Sequence, residues 1–289
     1  MLSVLIVNWN TREVLRACLH SIQQFSPSEP FEIIVVDNAS QDGSADMVRR
    51  DFPAVRLVAS ERNAGYAHGN NLAFDAAQGE WLLTLNPDTE FTDASLQRSI
   101  DILKSHERAG CLGIKLVHPD GRVQRSVRGW PTALGILGDV TGLGKRFPFT
   151  PLGSYRMSAF NYEKEQTAPQ PMGTFLLFRR EAVAAVGDVK SPFDEGFPIF
   201  FNEVDLLYRM HKAGWDCLYS PAASVVHHGG ESTKQVRKSM IWESHRSLVL
   251  FFKKHYRTPF NAPGLAVLAG LIYVAAFVRA RGYDAGFGA

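Results

Sequence analysis

A polar segment that could hold a metal ion follows an apolar run in the first third of the chain. Residues 81–85, Trp-Leu-Leu-Thr-Leu, lead directly into Asn86-Pro87-Asp88. The run is typical of a buried strand, and α/β proteins bind ligands where such strands end. Asp88 holds the last position of an acid-x-acid pattern that binds a divalent cation, whereas Asn86 occupies the first. We expect Asp88 to be a metal ligand and Asn86 to hydrogen-bond the bound molecule.

A second candidate for the metal site lies where Val225-Val226 is followed by His227-His228-Gly229-Gly230-Glu231-Ser232-Thr233. A neutral imidazole binds Mn²⁺ and similar ions, and the backbone N–H groups of glycines can approach a diphosphate closely. A histidine at the end of a strand is also common as polar surface. Both readings stay open, as does the choice between His227 and His228.

Two carboxylates, Glu203 and Asp205, stand at the start of an amphipathic helix predicted over 204–213. Carboxylates favour helix N-termini for electrostatic reasons alone. A carboxylate beside a bound substrate can instead act as a general base and take the proton of an attacking hydroxyl group. We expect Glu203 to be this base and keep Asp205 as the reserve candidate.

Polar residues also follow the first two predicted strands. Asp37 comes after the apolar run 33–36, where it could accept hydrogen bonds from a base or a ribose, or cap the next helix. Asn8 and Asn10 leave the first strand and are equally ambiguous taken singly. Together with Asp37 they would line neighbouring strand exits.

A glycine- and amide-rich segment covers residues 63–71. It predicts either a loop that approaches a nucleotide closely or a plain glycine-rich turn. Two nucleotide-binding signatures are excluded: no G-x-G-x-x-G follows the first strand, and Gly144-Lys145 lacks both the preceding glycine and the following hydroxyl residue of a P-loop.

Composition narrows the class of protein further. The 289 residues are 45% hydrophobic, which is enough for one large α/β domain or two smaller ones. A net charge of +2 gives no bulk field that would recruit nucleic acid. The cysteines lie far apart without a CxxC pair, which argues against disulfides and a cysteine zinc site and favours a reducing cytoplasm: Cys18, Cys111 and Cys217.

The first part of the chain alternates predicted strands with helices. This alternation predicts a mostly parallel sheet with helices on both faces, so ligands gather at the carboxyl ends of the strands. The predicted strands are 4–7, 32–36, 56–59, 81–85 and 111–117, and the predicted helices are 12–25, 44–51, 67–77 and 95–106.

Beyond residue 117 the pattern changes. His118-Pro119-Asp120-Gly121 is a strong hairpin signal. Residues 128–170 show no clear period and read as a long, partly mobile excursion of the kind that carries function. The later elements are predicted as strands 173–178, 217–220 and 224–227 and helices 180–186 and 204–213.

The two ends of the chain bear on its location. The first residues form a strand-like run without the basic flank and cleavage site of a signal peptide, so we expect a cytoplasmic protein. Residues 263–278 are apolar and flanked by basic residues, but this run is shorter than the roughly 20 residues that span a bilayer. It reads either as a buried helix or as an interfacial membrane helix on the inner face of the plasma membrane.

Seven segments, in their order and spacing, resemble family 2 glycosyltransferases of the GT-A fold, close to the bacterial rhamnosyltransferase-like branch. The resemblance covers nearly the whole chain. It departs at Asn86, where the family often has an acid but the branch shares the amide, and at Asn202-Glu203, where a Glu-Asp pair is usual. The segments are 4–10, 36–44, 63–71, 85–89, 172–177, 201–206 and 227–233.

The resemblance implies an inverting transfer of a sugar from a nucleotide diphosphate donor to an acceptor hydroxyl, assisted by Mn²⁺ or Mg²⁺. Asp88 and His227 would hold the metal and the diphosphate, with Glu203 as the base and Asp205 in reserve. The residues expected to bind the nucleotide-sugar are Asn8, Asn10, Asp37, Asn38, Asn63, Gly65, Asn70, Asn86, Asp88, Gly173 and Thr174.

The resemblance also predicts the organisation and the partners. Residues 1–120 would form the nucleotide-sugar-binding half, 121–235 the acceptor-binding and catalytic half, and 236–289 a C-terminal helical segment. The expected partners are a UDP- or dTDP-sugar, a glycan or lipid-linked glycan acceptor and the cytoplasmic membrane surface. A non-catalytic relative that binds nucleotide-sugar or glycolipid, and a purely structural α/β domain, are the competing classes.

Overall fold

The computed structural model describes residues 1–229 and 237–284. The strands are β1 Leu2–Asn8, β2 Phe31–Asp37, β3 Arg56–Ala59, β4 Trp81–Leu85, β5 Thr89–Glu90, β6 Ala109–Val117, β7 Val127–Arg128, β8 Gln166–Thr167, β9 Gln170–Pro171, β10 Phe175–Arg179 and β11 Asp216–His227. The helices are α1 Arg12–Gln24, α2 Ser44–Asp51, α3 Tyr66–Ala76, α4 Ser95–Ser105, α5 Ala133–Val140, α6 Leu143–Arg146, α7 Arg180–Ala184, α8 Asn202–Lys212, α9 Arg237–His255 and α10 Ala262–Asp284.

One large sheet runs in the order β3-β2-β1-β4-β10-β6-β11-β5. The strands β3, β2, β1 and β4 are parallel, and β6 is parallel to β11. Between these two groups, β10 runs antiparallel to both of its neighbours, β4 and β6. The start of β10 therefore lies at the same edge of the sheet as the ends of the parallel strands, which confirms the predicted mostly parallel α/β sheet and brings later residues to its ligand edge.

Helices cover both faces of this sheet, as the alternation of elements predicts. Along β1, Val4 and Ile6 face a core shared with α1, α2 and α4, whereas Leu5 and Val7 face a core shared with α3, α7 and α8. A strand buried on both sides reads as a continuous apolar run because successive side chains point to opposite faces. This explains the unbroken apolar sequence of β1.

Two local expectations differ from the structure, and a third is confirmed. The two strands predicted at 217–220 and 224–227 are one strand, β11, with a register shift between Ser220 and Ser224. The hairpin predicted after β6 is present as a tight turn with an antiparallel bridge between Val117 and Val123. The excursion at 128–170 contains α5 and α6, and its neck is closed by the pairing of β7 with β9.

Of the two readings left open for the apolar run at 263–278, the buried helix does not agree with the structure. The helix α10 is longer than the apolar run, and its segment Ala262–Arg281 is the one helix within the described ranges that could cross a membrane by length and composition. Only 11% of its most apolar stretch is buried. Its inner side packs through Ile272 against Val249 and Phe252 of α9. The domain boundary expected at 235 lies outside the described residues.

Candidate functional site

The exits of β1 and β2 carry a fixed polar cluster. Asn8 and Asp37 are register partners, and Nδ2 of Asn8 donates to Oδ1 of Asp37 at 2.9 Å. The other carboxylate oxygen of Asp37 accepts from the backbone N–H of Ser40 at 3.0 Å. The Ser40 hydroxyl also accepts from Asn8, at 3.1 Å. Asp37 is thus buried and held in one orientation by its own loop.

Asn38 and Gly65 join the β2 exit to the glycine-rich segment. Nδ2 of Asn38 donates to the Gly65 carbonyl at 2.9 Å, whereas its Oδ1 is buried without a hydrogen-bond partner among the described residues. Gly65 has a φ of +97°, and a Cβ atom there would lie 2.7 Å from the carbonyl oxygen of Pro198. Gly65 therefore permits a close backbone contact with the loop before α8.

The amides Asn10, Asn63 and Asn70 shape the loops in which they lie. Oδ1 of Asn10 accepts from the backbone of Gln41 at 2.7 Å, and Oδ1 of Asn63 accepts from Gly65 at 3.0 Å. Nδ2 of Asn70 donates to the carbonyl one turn earlier in α3. Asn70 is fully buried, whereas Asn63 is exposed.

Asp88 and His227 meet although they are far apart in sequence. The short strand β5 pairs antiparallel with the end of β11, which sets His227 opposite Thr89. Nε2 of His227 then lies 3.5 Å from Oδ1 of Asp88, and both side chains are buried. The predicted pair of metal ligands is therefore adjacent in the fold.

Gln124 fixes which nitrogen of His227 faces Asp88. Nε2 of Gln124 donates to the His227 carbonyl at 2.7 Å, so its Oε1 must face Nδ1 of the same histidine, at 2.8 Å. An amide oxygen only accepts, which places the imidazole proton on Nδ1. Nε2 is then the nitrogen on the Asp88 side, and a metal-binding histidine is commonly held in this way through its other nitrogen.

His228 takes a different partner. Its Nε2 lies 2.7 Å from Oε1 of Glu90, on the strand next to β11. Its backbone N–H donates to the Asp88 carbonyl at 3.0 Å. Of the two histidines, His227 is the one beside the Asp88 carboxylate. The glycine loop expected to continue the site, residues 230–233, lies outside the described residues.

The residues present fit a divalent cation. A buried carboxylate and an imidazole nitrogen are both ligands of Mn²⁺. The described residues contain no cluster of three or more His, Cys, Asp or Glu that could hold a metal. A two-ligand protein site is typical of ions that complete their coordination with substrate phosphates and water.

Tyr66, Asn86 and Thr174 connect the metal pair to the start of β10. The Tyr66 hydroxyl donates to Oδ1 of Asn86 at 3.2 Å, which turns Nδ2 of Asn86 toward Oγ1 of Thr174, 3.5 Å away. Burial raises the pKa of Tyr66, and the carboxylates Glu203 and Asp88 raise it further. The ring is therefore a neutral donor within the field of both acids.

Glu203 lies in the first turn of α8 and faces Gly173. A Cβ atom at Gly173 would lie 3.3 Å from Cδ and Cγ of Glu203. Burial raises the pKa of Glu203 to about 7, although its own backbone N–H lowers it. A carboxylate with a pKa near neutrality both holds and releases a proton at working pH, as a general base requires. The residue that precedes α8, Phe201, is its N-cap and has a left-handed conformation.

Asp205 is enclosed by three basic side chains. It is fully buried, with Arg209 Nε at 2.9 Å and both Lys254 Nζ and His255 Nε2 at 2.7 Å. Burial would raise its pKa, but hydrogen bonds from His255 and Lys254 and the charge of Arg209 hold it at about 2. The contacts tie α8 to α9 and leave Asp205 unsuited to accept a substrate proton.

The roles of two residues in this site are not predicted from the sequence. Gln124 lies in the turn region after β6, with no motif around it, and its contact with His227 spans 103 positions. Tyr66 lies inside the glycine-rich segment, where the surrounding amides and glycines give no indication of a role for its ring. A signal for it exists only in its position at the start of α3.

The chain is similar to known proteins over most of its length. A family model described as glycosyl transferase family 2 matches residues 3–187. The N-acetylglucosaminyl-diphospho-decaprenol L-rhamnosyltransferase of Mycobacterium tuberculosis (strain ATCC 25618 / H37Rv) is 29% identical, covering 97% of this chain and 93% of its own length. The O-antigen biosynthesis protein RfbC of Myxococcus xanthus is 25% identical, over 80% of this chain and 18% of its own.

Solved structures share the fold. A mannosyltransferase from Pyrobaculum calidifontis, in complex with GDP-Man and Mn²⁺, has a TM-score of 0.57 at 18% identity and covers 100% of this chain and 76% of its own. S. aureus TarS 1-349 in complex with UDP has a TM-score of 0.53 at 18% identity, over 90% and 73%. With the sheet order and the extent of the family match, these similarities establish that the chain belongs to glycosyl transferase family 2 and has the GT-A fold.

Proposed function

We propose that the chain is an inverting, metal-dependent transferase that moves rhamnose or a similar hexose from a nucleotide diphosphate donor to an acceptor hydroxyl, with Glu203 as the general base. The observation that carries the proposal is the Glu203 carboxyl, with a pKa of about 7, against Gly173 at the ligand edge of the sheet. Deprotonation of the acceptor oxygen by this group, on the face opposite the leaving diphosphate, gives one displacement and inversion.

The donor side of the proposal rests on the strand exits. Asp37 is held by Asn8 and Ser40, so its remaining acceptor capacity is oriented for the base or the ribose. The buried Oδ1 of Asn38 lacks a partner in the described part of the chain, and an unpaired buried acceptor costs about 1–3 kcal/mol. A nucleotide N–H or hydroxyl at this point would offset that cost.

The metal side of the proposal rests on Asp88 and His227. These two residues would hold the cation, which when bound offsets the charge that develops on the leaving diphosphate. The chain itself orients the ligands: Gln124 fixes the imidazole tautomer, and Tyr66 fixes the Asn86 amide so that its N–H group can donate to the donor sugar or phosphate.

The acceptor belongs to the proposal as a class. The Mycobacterium tuberculosis relative is named for a diphospho-decaprenol substrate, and RfbC is an O-antigen biosynthesis protein. We assign this chain to bacterial cell-surface polysaccharide synthesis, with a glycan or lipid-linked glycan acceptor. The exposed apolar side of α10 supports work at the cytoplasmic membrane surface.

The competing function is a relative that binds nucleotide-sugar without turning it over. The amides Asn86 and Asn202 stand where the family often has acids, which favours this candidate. Donor turnover separates the two: we expect sugar transfer or slow donor hydrolysis from a panel of UDP- and dTDP-sugars with Mn²⁺. The variant Glu203→Gln should lower turnover about 10³-fold while leaving nucleotide affinity within twofold.

The exposed Glu181 of α7 provides the matched control, since Glu181→Gln changes the same group away from the site. Full activity of Glu203→Gln would remove the base assignment. Turnover by neither the parent chain nor any variant, together with intact nucleotide binding, would favour the binding-only alternative.

A further inference from the structure

A basic cavity of about 420 Å³ lies in the excursion between β7 and β9. Its lining includes four cations, a methionine and a tyrosine: Arg125, Arg128, Lys145, Arg156, Met157 and Tyr162. None of these residues takes part in the metal pair or the base. The charge of the lining predicts an anionic ligand.

Most of this positive charge is uncompensated. Arg156 pairs with Asp139. Arg125, Arg128 and Lys145 form no ion pair with a carboxylate within residues 1–229 and 237–284. The Arg128 guanidinium donates to its neighbouring carbonyls, those of Arg125 and Val127, which holds it in place. Like charges gathered around one cavity repel each other, and a bound anion offsets that repulsion.

The cavity adjoins both halves of the candidate site. Arg125 directly follows Gln124, the residue that orients His227. On the other side, the Met172 N–H donates to the Ser126 carbonyl at 2.8 Å, and the next residue, Gly173, faces Glu203. The segments that line the cavity are therefore continuous with those that hold His227 and Glu203.

Exposed apolar side chains flank the same cavity. The helix α6, which contributes Lys145, also exposes Leu143 and Phe147, and Phe149 just beyond it is 90% exposed. The preceding helix α5 exposes a further set, Leu134, Leu137 and Val140. Contiguous exposed apolar residues mark interaction surfaces in soluble proteins. Free phosphate has no apolar part that could cover them, and a nucleotide offers only the faces of one base.

We propose that this cavity binds the diphosphate group of a lipid-linked acceptor, whose hydrocarbon chain lies along the exposed apolar residues of α5 and α6. The inference rests on the proposed function, since it assigns the acceptor's phosphate site. Guanidinium groups bind phosphate oxygens through paired charge-assisted hydrogen bonds, which suits Arg125 and Arg128. An anion joined to an apolar chain matches both the charge and the flank of the cavity.

The test measures binding by the full chain to phosphatidylcholine vesicles that carry a polyprenyl diphosphate, with vesicles that carry the neutral polyprenol as reference. The double variant Arg125→Gln/Lys145→Gln removes two cations of the cavity. Its control, Arg108→Gln/Lys212→Gln, removes one arginine and one lysine that are exposed elsewhere. Thermal melting verifies that all variants are folded.

The parent chain should prefer the diphosphate vesicles, and the double variant should lose about tenfold in affinity for them, the cost of one charge-assisted hydrogen bond or more. The control should keep the preference, and UDP or dTDP affinity with Mn²⁺ should stay within twofold in all variants. An unchanged preference in the double variant overturns the proposal. A parallel loss of nucleotide affinity also overturns it, because the cavity would then serve the donor.

Inorganic pyrophosphate separates the two sources of the anion. If it binds the parent chain as tightly as the lipid form does, the cavity is a free-anion site and the lipid assignment fails. The variant Glu203→Gln separates this inference from the proposed function, since it should keep the vesicle preference while losing turnover. If the parent chain transfers no sugar but retains the preference, the proposed function fails and the lipid-diphosphate site stands.

Discussion

His255 of α9 and Asp205 of α8 form a 2.7 Å hydrogen bond across fifty residues of sequence. Lys254 reaches the same carboxylate oxygen at 2.7 Å. The helix α8 carries Glu203 in its first turn. These contacts therefore make α9 part of the support of the proposed base. A residue that looks like a catalytic reserve thus holds two helices together.

Replacing Asp205 should destabilise the fold. Asp205→Asn leaves Arg209, Lys254 and His255 around an uncharged group, and breaking such a buried network typically costs about 3–5 kcal/mol. We expect the free energy of unfolding in urea to fall by this order. Asp46→Asn, on a side chain that is 83% exposed, is the control and should change it by less than about 0.5 kcal/mol. Equal stability of the two variants would contradict the structural role.

The Glu203 carboxyl should set the pH profile of activity. Its pKa is raised from 4.5 to about 7, so the base is protonated at mildly acidic pH. We expect kcat/KM to rise with pH and level off above about 7. Between pH 4.5 and about pH 7, Glu203 of the folded chain holds a proton that the unfolded chain has released. The free energy of unfolding should therefore fall as the pH rises across this window.

Glu203→Gln should remove the loss of stability that ionisation of the buried Glu203 carboxyl causes above about pH 7. At pH 8 the variant should melt higher than the parent chain, whereas near pH 4 the two should melt alike. A profile that levels off near pH 5, or a variant no more stable at pH 8, would show that burial does not raise this pKa.

Gln124→Leu should weaken the metal site without touching either ligand. The variant loses the acceptor that holds the proton of His227 on Nδ1, and such supporting partners typically contribute about 10–100-fold in metal affinity. Calorimetric titration of Mn²⁺ in the presence of UDP measures the change. Gln97→Leu, on the surface of α4, is the control. Unchanged Mn²⁺ affinity, or nucleotide affinity that never depends on Mn²⁺, would refute this view of Asp88 and His227.

Gly173→Ala should disturb the base by one methyl group. The added Cβ would meet the Glu203 carboxyl at 3.3 Å, so the carboxyl must shift by a few tenths of an ångström. Misplacement on this scale lowers kcat by about tenfold or more while donor affinity is kept. Gly270→Ala, where a Cβ meets nothing within 4 Å, is the control and should leave kcat unchanged. Loss of donor affinity instead would move Gly173 to the donor side.

The exposed stripe of α10 should carry membrane association. Substituting Val267, Leu271, Val274 and Val278 by Gln removes four side chains that are 61–66% exposed, while Ile272 and its contacts with α9 remain. We expect flotation with anionic vesicles to fall by well over tenfold, because tenfold corresponds to about 1.4 kcal/mol and each buried methylene group contributes about 0.8 kcal/mol. Binding that survives the four substitutions would exclude the stripe as the anchor.

The sheet, its two helical faces and most strand ends are predictable because apolar period and capping residues act locally. The same holds for Asp88 and Glu203, which stand at element ends that the sequence marks. The partnership of His227 with Gln124 is not predictable, because it depends on the pairing of β6 with β11 and on the turn after β6 that returns Gln124 to Leu116. The role of Asp205 is not predictable for a related reason: its partners Lys254 and His255 lie on α9, about fifty residues later in the chain.

The pairing of β7 with β9 closes the loop of residues 129–169 at its base. The loop also joins the large sheet at β8, which pairs with Leu218 and Tyr219 of β11, in the first part of the strand that ends at His227. Changes in the length or sequence of that loop need not move the metal pair, which lies before it and after it in the chain. Donor chemistry and acceptor choice can therefore diverge independently in evolution. A chimaera that exchanges only this loop with that of a relative would be expected to inherit a new acceptor and keep the old donor.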